Sequence, residues 1–395
     1  MKITEFALLG AKPEFDTPMP VGQLYFPSWD RYESAFKGIF DRRYYTNQGP
    51  LTQELEKQLQ QFLGVRNAIC VTNATIGLMI VAEALKLTGK VILPSYTFIA
   101  SAQALLWTAL KPVFCDIDLD THQIALDKIE TQIDKDVCGI MGVNLWGGAC
   151  NPKALAEIAA TNDVQLYFDS AHAFGCAVDD VPIGNFGRAE VFSFHATKIL
   201  SAAEGGCICT NDDYLADSMR NIRSGYGADK PVNVAKTANG RMSEAQAAIA
   251  LMSLEDFAAN QKNNETLYRI YEKRLASIPG LHLVKPGGVS FSNYQYIVYT
   301  VDELEYGMSR DMLVKLLKAE NVFVRRYFYP GLHRTVPFIQ DYPEFLNNLP
   351  NTDKVCETCI QLPIGALVSS EIVERICDIV VGANHLASEI RSRHE

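Results

Sequence analysis

The stretch VFSFHATK at residues 191–198, followed by EGG at residues 204–206, decides how the whole chain is interpreted. Val191–Phe194 is a short apolar run that predicts a buried strand, and Lys198 follows shortly after it. A lysine held among apolar neighbours loses its proton more easily than an exposed one and can act as an amine nucleophile. The glycine pair permits a close approach of the backbone. The alternative interpretation is an ordinary surface lysine.

Short apolar segments on both sides of this stretch alternate with helical patterns. Alternation of this kind is typical of an α/β protein with a mainly parallel sheet covered by helices on both faces. The helical patterns include Ile76–Leu87 and a segment that runs from the capping pair Asn151-Pro152 to about Ala160. The predicted strands are Asn67–Val71, Val91–Leu93, Pro112–Asp116, Gly139–Asn144, Val164–Phe168, Val191–Phe194 and Cys207–Thr210.

The pattern changes near residue 243. A long helical stretch from about Ser243 to Ile278 precedes a mixed region. Residues 1–255 are therefore predicted to form a large α/β domain that includes the N-terminal segment, and residues 256–395 a smaller α+β domain. The mixed region is predicted to contain strands at Tyr294–Val301 and Val322–Val324 and helices at Asp311–Ala319 and Glu371–Leu386.

Composition narrows the class of protein. Of the 395 residues, 48% are hydrophobic and 21% charged, which excludes a disordered chain and a coiled-coil rod. The 36 Lys and Arg residues against 46 Asp and Glu residues give a net charge of −10, which argues against broad nucleic-acid binding. No run approaches the ~18 apolar residues of a membrane helix. The 10 scattered cysteines and an N-terminus without a signal-peptide pattern predict a soluble, cytosolic protein, and no metal site is expected.

Polar residues follow several predicted strands at their carboxyl ends, where functional groups gather in an open α/β sheet. Thr72–Thr75 opens a helix, so its free N–H groups and hydroxyl predict either an anion site or a plain helix cap. Asp169 ends a strand, and His172 lies three residues further on. A helix-capping acid and a structural histidine are the alternatives.

Together, an anion site, an acid and a lysine are the parts that hold pyridoxal 5′-phosphate. The lysine bonds to the cofactor aldehyde, the acid pairs with the pyridinium nitrogen, and a helix N-terminus holds the phosphate. The segment PSYTF at residues 94–98 could supply an aromatic ring to stack on the cofactor. The order along the chain is phosphate loop, aromatic, acid and lysine, which matches the fold-type-I layout of enzymes that use this cofactor.

The chain resembles the sugar aminotransferases of the DegT/DnrJ/EryC1/StrS family along nearly its whole length. The resemblance implies an aspartate aminotransferase-like fold of the fold-type-I pyridoxal phosphate-dependent transferases. Within the family, the chain is most similar to the subfamily that aminates the 4-keto carbon of TDP-4-keto-6-deoxyglucose, with glutamate as the expected donor. The stretches that carry the resemblance are TNATIGL, PSYTFIASAQAL, YFDSAHAFGC, EVFSFHATK, EGGCICTND, NGRMSEAQAA and RRYFYPGLHR.

Three other functions stay open. The same chemistry could act on a 3-keto sugar or a UDP-linked sugar. A cofactor-dependent dehydratase or lyase is a second alternative, although the dehydratase branch usually carries histidine in place of the lysine, so Lys198 argues against it. A non-catalytic cofactor- or sugar-binding protein is the third.

The resemblance also implies roles for individual residues. Lys198 would be the catalytic lysine, bonded to the cofactor. Asn239 would reach the cofactor phosphate of a neighbouring subunit, which implies a homodimer with two shared active sites. Neither nucleic acid nor a membrane is expected as a partner. The remaining cofactor-binding residues would be Ala74, Thr75, Phe98, Asp169, His172 and Ser193. The nucleotide sugar would meet Tyr45, Asn47, Tyr327, Tyr329 and His333.

Overall fold

A computed structural model describes residues 5–23, 25–228 and 230–394. It contains strands of two to seven residues that form three sheets. The strands are β1 Asn67–Val71, β2 Lys90–Pro94, β3 Lys111–Cys115, β4 Val137–Val143, β5 Gln165–Asp169, β6 Ala177–Val178, β7 Val181–Pro182, β8 Glu190–Ser193, β9 Gly206–Thr210, β10 Leu281–Leu283, β11 Ile297–Val301 and β12 Cys359–Leu362.

Helices cover the sheets and form much of the C-terminal region. None of the helices within the described residues combines the length and the apolar character needed to cross a lipid bilayer. The helices are α1 Trp29–Arg42, α2 Pro50–Leu63, α3 Ala74–Ala84, α4 Ile99–Trp107, α5 Leu126–Ile129, α6 Pro152–Thr161, α7 Asp213–Arg223, α8 Glu244–Glu255, α9 Phe257–Leu275, α10 Glu303–Tyr306, α11 Arg310–Ala319, α12 Phe338–Asp341, α13 Pro350–Thr358, α14 Ser370–His385 and α15 Ala387–His394.

The large sheet has seven strands in the order β1-β9-β8-β5-β4-β2-β3. Strand β9 runs antiparallel to both of its neighbours, whereas β8, β5, β4, β2 and β3 pair in parallel. All seven strands were predicted, and their bounds differ from the predicted ones by two residues at most. The predicted mainly parallel sheet is confirmed, and the carboxyl ends of β5 and β8 lie side by side at one edge.

Local capping explains where the helices begin. The Asn73 side chain accepts a hydrogen bond from the Ile76 N–H at the start of α3, and Asn151 does the same for Ala154 at the start of α6. Helix α2 begins at Pro50, after Gly49. Thr52 lies inside the helix, and its buried hydroxyl donates a hydrogen bond to Glu244.

A second unit is built around the antiparallel sheet β10-β11-β12 and helices α9, α11 and α14. The long helical stretch predicted from Ser243 is two helices, α8 and α9, that meet at Asp256. The predicted strand Val322–Val324 is wrong, because only Val322 makes an isolated bridge, to Met19. The domain boundary at residues 255/256 stays a prediction.

Part of the N-terminal segment packs against the second unit. Phe6 and Phe15 are buried in the hydrophobic core of the second unit, not in that of the large sheet. The Gln23 side chain donates a hydrogen bond to the Gln295 carbonyl in the same unit. The sequence pattern missed this because an irregular segment carries no periodicity that identifies the surface it covers.

A buried ion pair joins four segments of the large unit. Arg223, at the end of α7, places one guanidinium nitrogen 2.9 Å from the Glu56 carboxylate in α2 and 3.0 Å from the Cys70 carbonyl in β1. Its other nitrogen donates to the Tyr226 carbonyl, and Gln48 donates to the second Glu56 oxygen at 2.6 Å. Burial raises the pKa of Glu56, and the positive charge of Arg223 opposes that shift.

Replacing Arg223 with methionine should lower the free energy of unfolding by about 3–5 kcal/mol, because Glu56 would remain as an unpaired buried charge. Urea denaturation near neutral pH measures the loss, which should shrink as the pH falls and Glu56 becomes protonated. The matched control is Arg188→Met, which removes an exposed pair with Asp212 and should cost less than about 1 kcal/mol. Equal unfolding midpoints for the two variants would contradict the structural importance of the Glu56–Arg223 pair.

Candidate active site

A cavity of about 540 Å³ opens at the carboxyl edge of the large sheet. The first turn of α3, the ends of β5 and β8, and a segment of the second unit contribute its walls. Many of the residues named from the sequence lie together here. The lining residues are Asn73, Ala74, Thr75, Ile76, Leu78, Phe98, Ala100, Asp169, Ala171, His172, Ser193, His195, Thr197, Lys198, Glu204, Arg325, Tyr327 and Phe328.

The amine of Lys198 lies inside this cavity. Its Nζ donates a hydrogen bond to the Tyr296 hydroxyl at 3.0 Å, and its backbone N–H donates to the His195 carbonyl. Desolvation lowers the pKa of Lys198 to about 7; the Asp169 charge opposes this and the Arg325 charge adds to it. A large fraction of the amine is therefore neutral near pH 7, which makes it available as a nucleophile and a base.

Asp169 ends β5 at the floor of the cavity and is almost fully buried. One carboxylate oxygen accepts a hydrogen bond from the Ser101 hydroxyl at 2.7 Å, and the other accepts one from the Ala171 N–H at 3.2 Å. Burial raises the pKa of Asp169, while the Ser101 hydrogen bond and the Lys198 charge lower it. The carboxylate is thus fixed in orientation and poised to pair with a cation.

The N-terminus of α3 forms another wall. Ala74 and Thr75 occupy the first two positions of the helix, where backbone N–H groups have no carbonyl partner within the helix. The second glycine of the EGG motif, Gly206, packs so closely against this helix start that no side chain fits. A Cβ atom there would lie 2.9 Å from the Ala74 nitrogen and 2.8 Å from the Phe192 carbonyl oxygen. Ser193 places a hydroxyl on the same wall. These groups suit an anion such as a phosphate.

His172 lies buried on the cavity wall, with its ring 4.3 Å from the Tyr296 ring and 5.4 Å from the Trp146 ring. Burial lowers the pKa of His172 well below its ordinary value, so the ring is neutral. Within the described residues, its Nδ1 has no hydrogen-bond partner. Such an unpaired polar atom favours a ligand that supplies the missing partner. Phe98 precedes α4 and exposes 58% of its surface at the cavity.

These groups fit pyridoxal 5′-phosphate. A neutral lysine, a buried carboxylate, an unpaired histidine nitrogen and a helix N-terminus surround one cavity, and each complements a different part of that molecule. The residues that could hold it are Ala74, Thr75, Phe98, Asp169, His172, Ser193 and Lys198.

Other residues named from the sequence lie outside the cavity, with Tyr327 as the one substrate candidate that lines it. Tyr45 and Tyr329 are about half exposed, and Asn47 is partly buried. Asn239 is exposed, on the segment between α7 and α8.

His333 is fully buried. Its Nδ1 lies 2.8 Å from the Ser95 hydroxyl, and its Nε2 lies 3.0 Å from Asp353. The ring links Ser95 and Asp353 and is not among the lining residues of the cavity, so its contact with the substrate stays a prediction.

Sequence reasoning missed three residues of this site. Tyr296 contacts Lys198, Ser101 holds Asp169, and Arg325 lines the cavity. Tyr296 and Arg325 come from the second unit, and neither strand periodicity nor helix spacing indicates that they meet Lys198. Ser101 lies three residues after Phe98, so its position on α4 was the one available signal.

In the cofactor-free protein, the reactivity of Lys198 toward an amine reagent should rise with a midpoint near pH 7. Mass spectrometry of the labelled peptides measures this, with the other lysine peptides as internal controls that react at higher pH. Asp169→Asn should move the midpoint lower, because the attraction that holds the proton on Lys198 is lost. A Lys198 midpoint at the ordinary lysine value would contradict a desolvated amine.

Comparison with known proteins gives a consistent result. The DegT/DnrJ/EryC1/StrS aminotransferase family model matches residues 30–381. A dTDP-4-amino-4,6-dideoxy-D-glucose transaminase from Shigella dysenteriae is 34% identical over 371 residues, which are 92% of this chain and 99% of that protein. A GDP-perosamine synthase from Vibrio cholerae is 27% identical over 362 residues, which are 90% of this chain and 97% of that protein.

Among solved structures, DesI in the presence of its TDP-sugar product has a TM-score of 0.93 to this chain. The two are 36% identical, and the match covers 99% of each chain. The predicted fold-type-I, aspartate aminotransferase-like architecture is confirmed.

Proposed function

The chain belongs to the DegT/DnrJ/EryC1/StrS aminotransferase family, whose members depend on pyridoxal 5′-phosphate, and we propose that it aminates a nucleotide-linked keto sugar. The substrate is TDP-4-keto-6-deoxyglucose, the amino donor is glutamate, and the product is TDP-4-amino-4,6-dideoxyglucose. One observation carries the reaction type: the desolvated Lys198 amine shares a cavity with the buried Asp169 carboxylate and the N-terminus of α3. The names of the Shigella dysenteriae relative and of DesI support the TDP-linked sugar.

Each wall of the cavity has a distinct task in this reaction. Bound pyridoxal 5′-phosphate supplies an electron sink that stabilises negative charge on the carbon attached to the reacting nitrogen. Lys198 takes the proton from the α-carbon of the donor and later gives a proton to the sugar carbon. A pKa near 7 suits both directions of transfer, because neither the charged nor the neutral amine predominates strongly.

The other residues of the cavity bind the cofactor and fix its orientation. Asp169, fixed by Ser101, pairs with the pyridinium nitrogen, and the neutral His172 offers its unpaired Nδ1 to a polar group of the cofactor. Ala74, Thr75 and Ser193 hold the phosphate. The rigid placement of these groups keeps the reacting carbon beside the lysine, which lowers the entropic part of the barrier.

Two surface loops support a homodimer with shared sites. Tyr45 and Asn47 lie on the loop before α2, Asn239 lies on the loop after α7, and all three lie outside the cavity of their own chain. The Glu56–Arg223 pair ties these loops together, because Gln48 and Tyr226 both bond to it. We propose that the two loops act as one surface that completes the cavity of a second subunit, where Asn239 reaches the phosphate and Tyr45 and Asn47 reach the sugar.

Two tyrosines of the second unit are the proposed contacts with the nucleotide sugar. Tyr327 lines the cavity and would meet the sugar, while Tyr329, which is half exposed and outside the cavity lining, would meet the nucleotide. All ten cysteines carry free thiols, including Cys356 and Cys359, which form a C-x-x-C spacing. Free thiols fit the reducing cytoplasm, where we place the reaction.

Incubation of the purified protein with pyridoxal 5′-phosphate, glutamate and TDP-4-keto-6-deoxyglucose should yield the 4-amino sugar, identified by NMR. The parallel reactions use the GDP-linked 4-keto sugar, which the Vibrio cholerae relative suggests, and UDP-linked and 3-keto sugars. Lys198→Ala should abolish turnover, whereas Lys153→Ala, at an exposed position, should leave it unchanged. A 4-amino product made faster from another nucleotide, or full turnover by the Lys198 variant, would overturn the proposal.

A mixing experiment tests the shared site. Lys198→Ala and Asn239→Ala subunits should each have low activity alone, because one lacks the catalytic amine and the other the phosphate contact offered to its neighbour. Mixed dimers should recover activity, since one of their two cavities contains both intact residues. Failure to recover activity, with subunit exchange confirmed by native mass spectrometry, would contradict the shared arrangement.

A further inference from the structure

Arg325 is a cation on the cavity wall that the reaction described above does not use. Within residues 5–23, 25–228 and 230–394, no carboxylate lies within ion-pair distance of its guanidinium, which donates a hydrogen bond to the Tyr327 hydroxyl. Arg326, the next residue, lies outside the cavity wall and forms an ion pair with Asp311 at 3.1 Å. A partly buried arginine without a carboxylate partner favours an anionic ligand.

The backbone fixes Arg325 in place. It exchanges two hydrogen bonds with Gln361 of β12, at 3.2 and 2.9 Å, so the residue is attached to the central sheet of the second unit. Its side chain therefore projects from a rigid element and not from a free loop.

A chain of contacts connects Arg325 with the reacting amine. The Tyr327 ring, which its guanidinium contacts, is 6.4 Å from the Tyr296 ring, and the Tyr296 hydroxyl is 3.0 Å from Lys198 Nζ. The charge of Arg325 is felt at Lys198, where it helps to lower the pKa. An anion bound to Arg325 would therefore share this part of the cavity with Lys198 and with the carbon that exchanges a proton with it.

Apart from the cofactor phosphate, which the N-terminus of α3 holds, the proposed reaction brings three anionic groups into this cavity. They are the α-carboxylate and the γ-carboxylate of glutamate and the diphosphate of the nucleotide sugar. In an α-amino acid the carboxylate is attached directly to the carbon that loses its proton. In a 4-keto sugar nucleotide the diphosphate is several bonds from C4, on the far side of the sugar ring. The link from Arg325 through Tyr327 and Tyr296 to Lys198 therefore favours the donor.

We propose that Arg325 binds the α-carboxylate of the amino-acid donor and thereby selects an α-amino acid for the first half of the reaction. The planar guanidinium matches a carboxylate through two parallel hydrogen bonds. In the second half, the same residue faces an uncharged part of the sugar and contributes little. This proposal rests on the proposed transamination and adds the basis of donor recognition.

The test separates the two half-reactions. Enzyme loaded with pyridoxal 5′-phosphate is mixed with glutamate alone, and enzyme loaded with pyridoxamine 5′-phosphate is mixed with the keto sugar alone, with the absorbance of the cofactor followed by stopped flow. Arg325→Gln should lower kcat/KM for glutamate about 100-fold, since truncating one partner of a buried charge pair has an effect of this order. The keto-sugar half should change less than about threefold, and Arg325→Lys should recover part of the glutamate half.

Arg188→Gln is the control, because it removes an exposed arginine that pairs with Asp212 outside the cavity wall and should leave both half-reactions unchanged. Two readouts need no loaded enzyme. Calorimetry should detect 2-oxoglutarate binding to the cofactor-free wild type and much weaker binding to Arg325→Gln. The Lys198 labelling midpoint should move upward in Arg325→Gln, because a neighbouring positive charge is removed.

The outcomes are distinguishable. An equal loss in both half-reactions, or a loss confined to the keto-sugar half, would overturn the proposal; the second result would assign Arg325 to the diphosphate. A wild-type enzyme that reacts with glutamate but with no nucleotide keto sugar would contradict the proposed function while leaving donor recognition by Arg325 testable in the first half-reaction.

Discussion

The exclusion of water from the Lys198 amine is the constraint on which the site depends. An exposed lysine is charged at neutral pH and neither attacks a carbonyl nor accepts a proton, whereas desolvation lowers the pKa of Lys198 to about 7. The buried Asp169 opposes this shift and limits it. The fold therefore places the amine where burial lowers its pKa and one nearby carboxylate raises it. The active-site chemistry follows from the resulting pKa near neutrality.

This environment requires both units of the chain. The large sheet supplies Asp169, Ser193 and the N-terminus of α3, while the second unit supplies Tyr296 and Arg325. Gln295 strengthens the connection, because its side chain accepts the Ile199 N–H, one residue after the lysine. Contacts between the two units thus fix the backbone beside Lys198, through Gln295, and supply the hydrogen-bond partner of its amine, Tyr296.

A buried ion pair, Glu56–Arg223, positions two surface loops. Arg223 and Glu56 satisfy each other and hold the loops that contain Gln48 and Tyr226. An ion pair is a weak source of stability in itself, but its hydrogen bonds have fixed directions and so define the geometry of the segments it joins. The residues proposed to act on a neighbouring subunit, Asn239 among them, lie on these segments.

Sequence alone determined the alternation of strands and helices, and with it the large sheet and the edge where Asp169 and Lys198 meet. Those features are local: strand periodicity, capping by Asn73 and the order of strand ends all act over a few residues. Only the tertiary structure decided that Tyr296 reaches Lys198, that Arg325 lines the same cavity, that His333 is buried outside the cavity lining, and that Phe6 packs on the second unit. Such contacts join residues distant in the chain through side-chain packing, and no local pattern specifies which distant surface a side chain will meet.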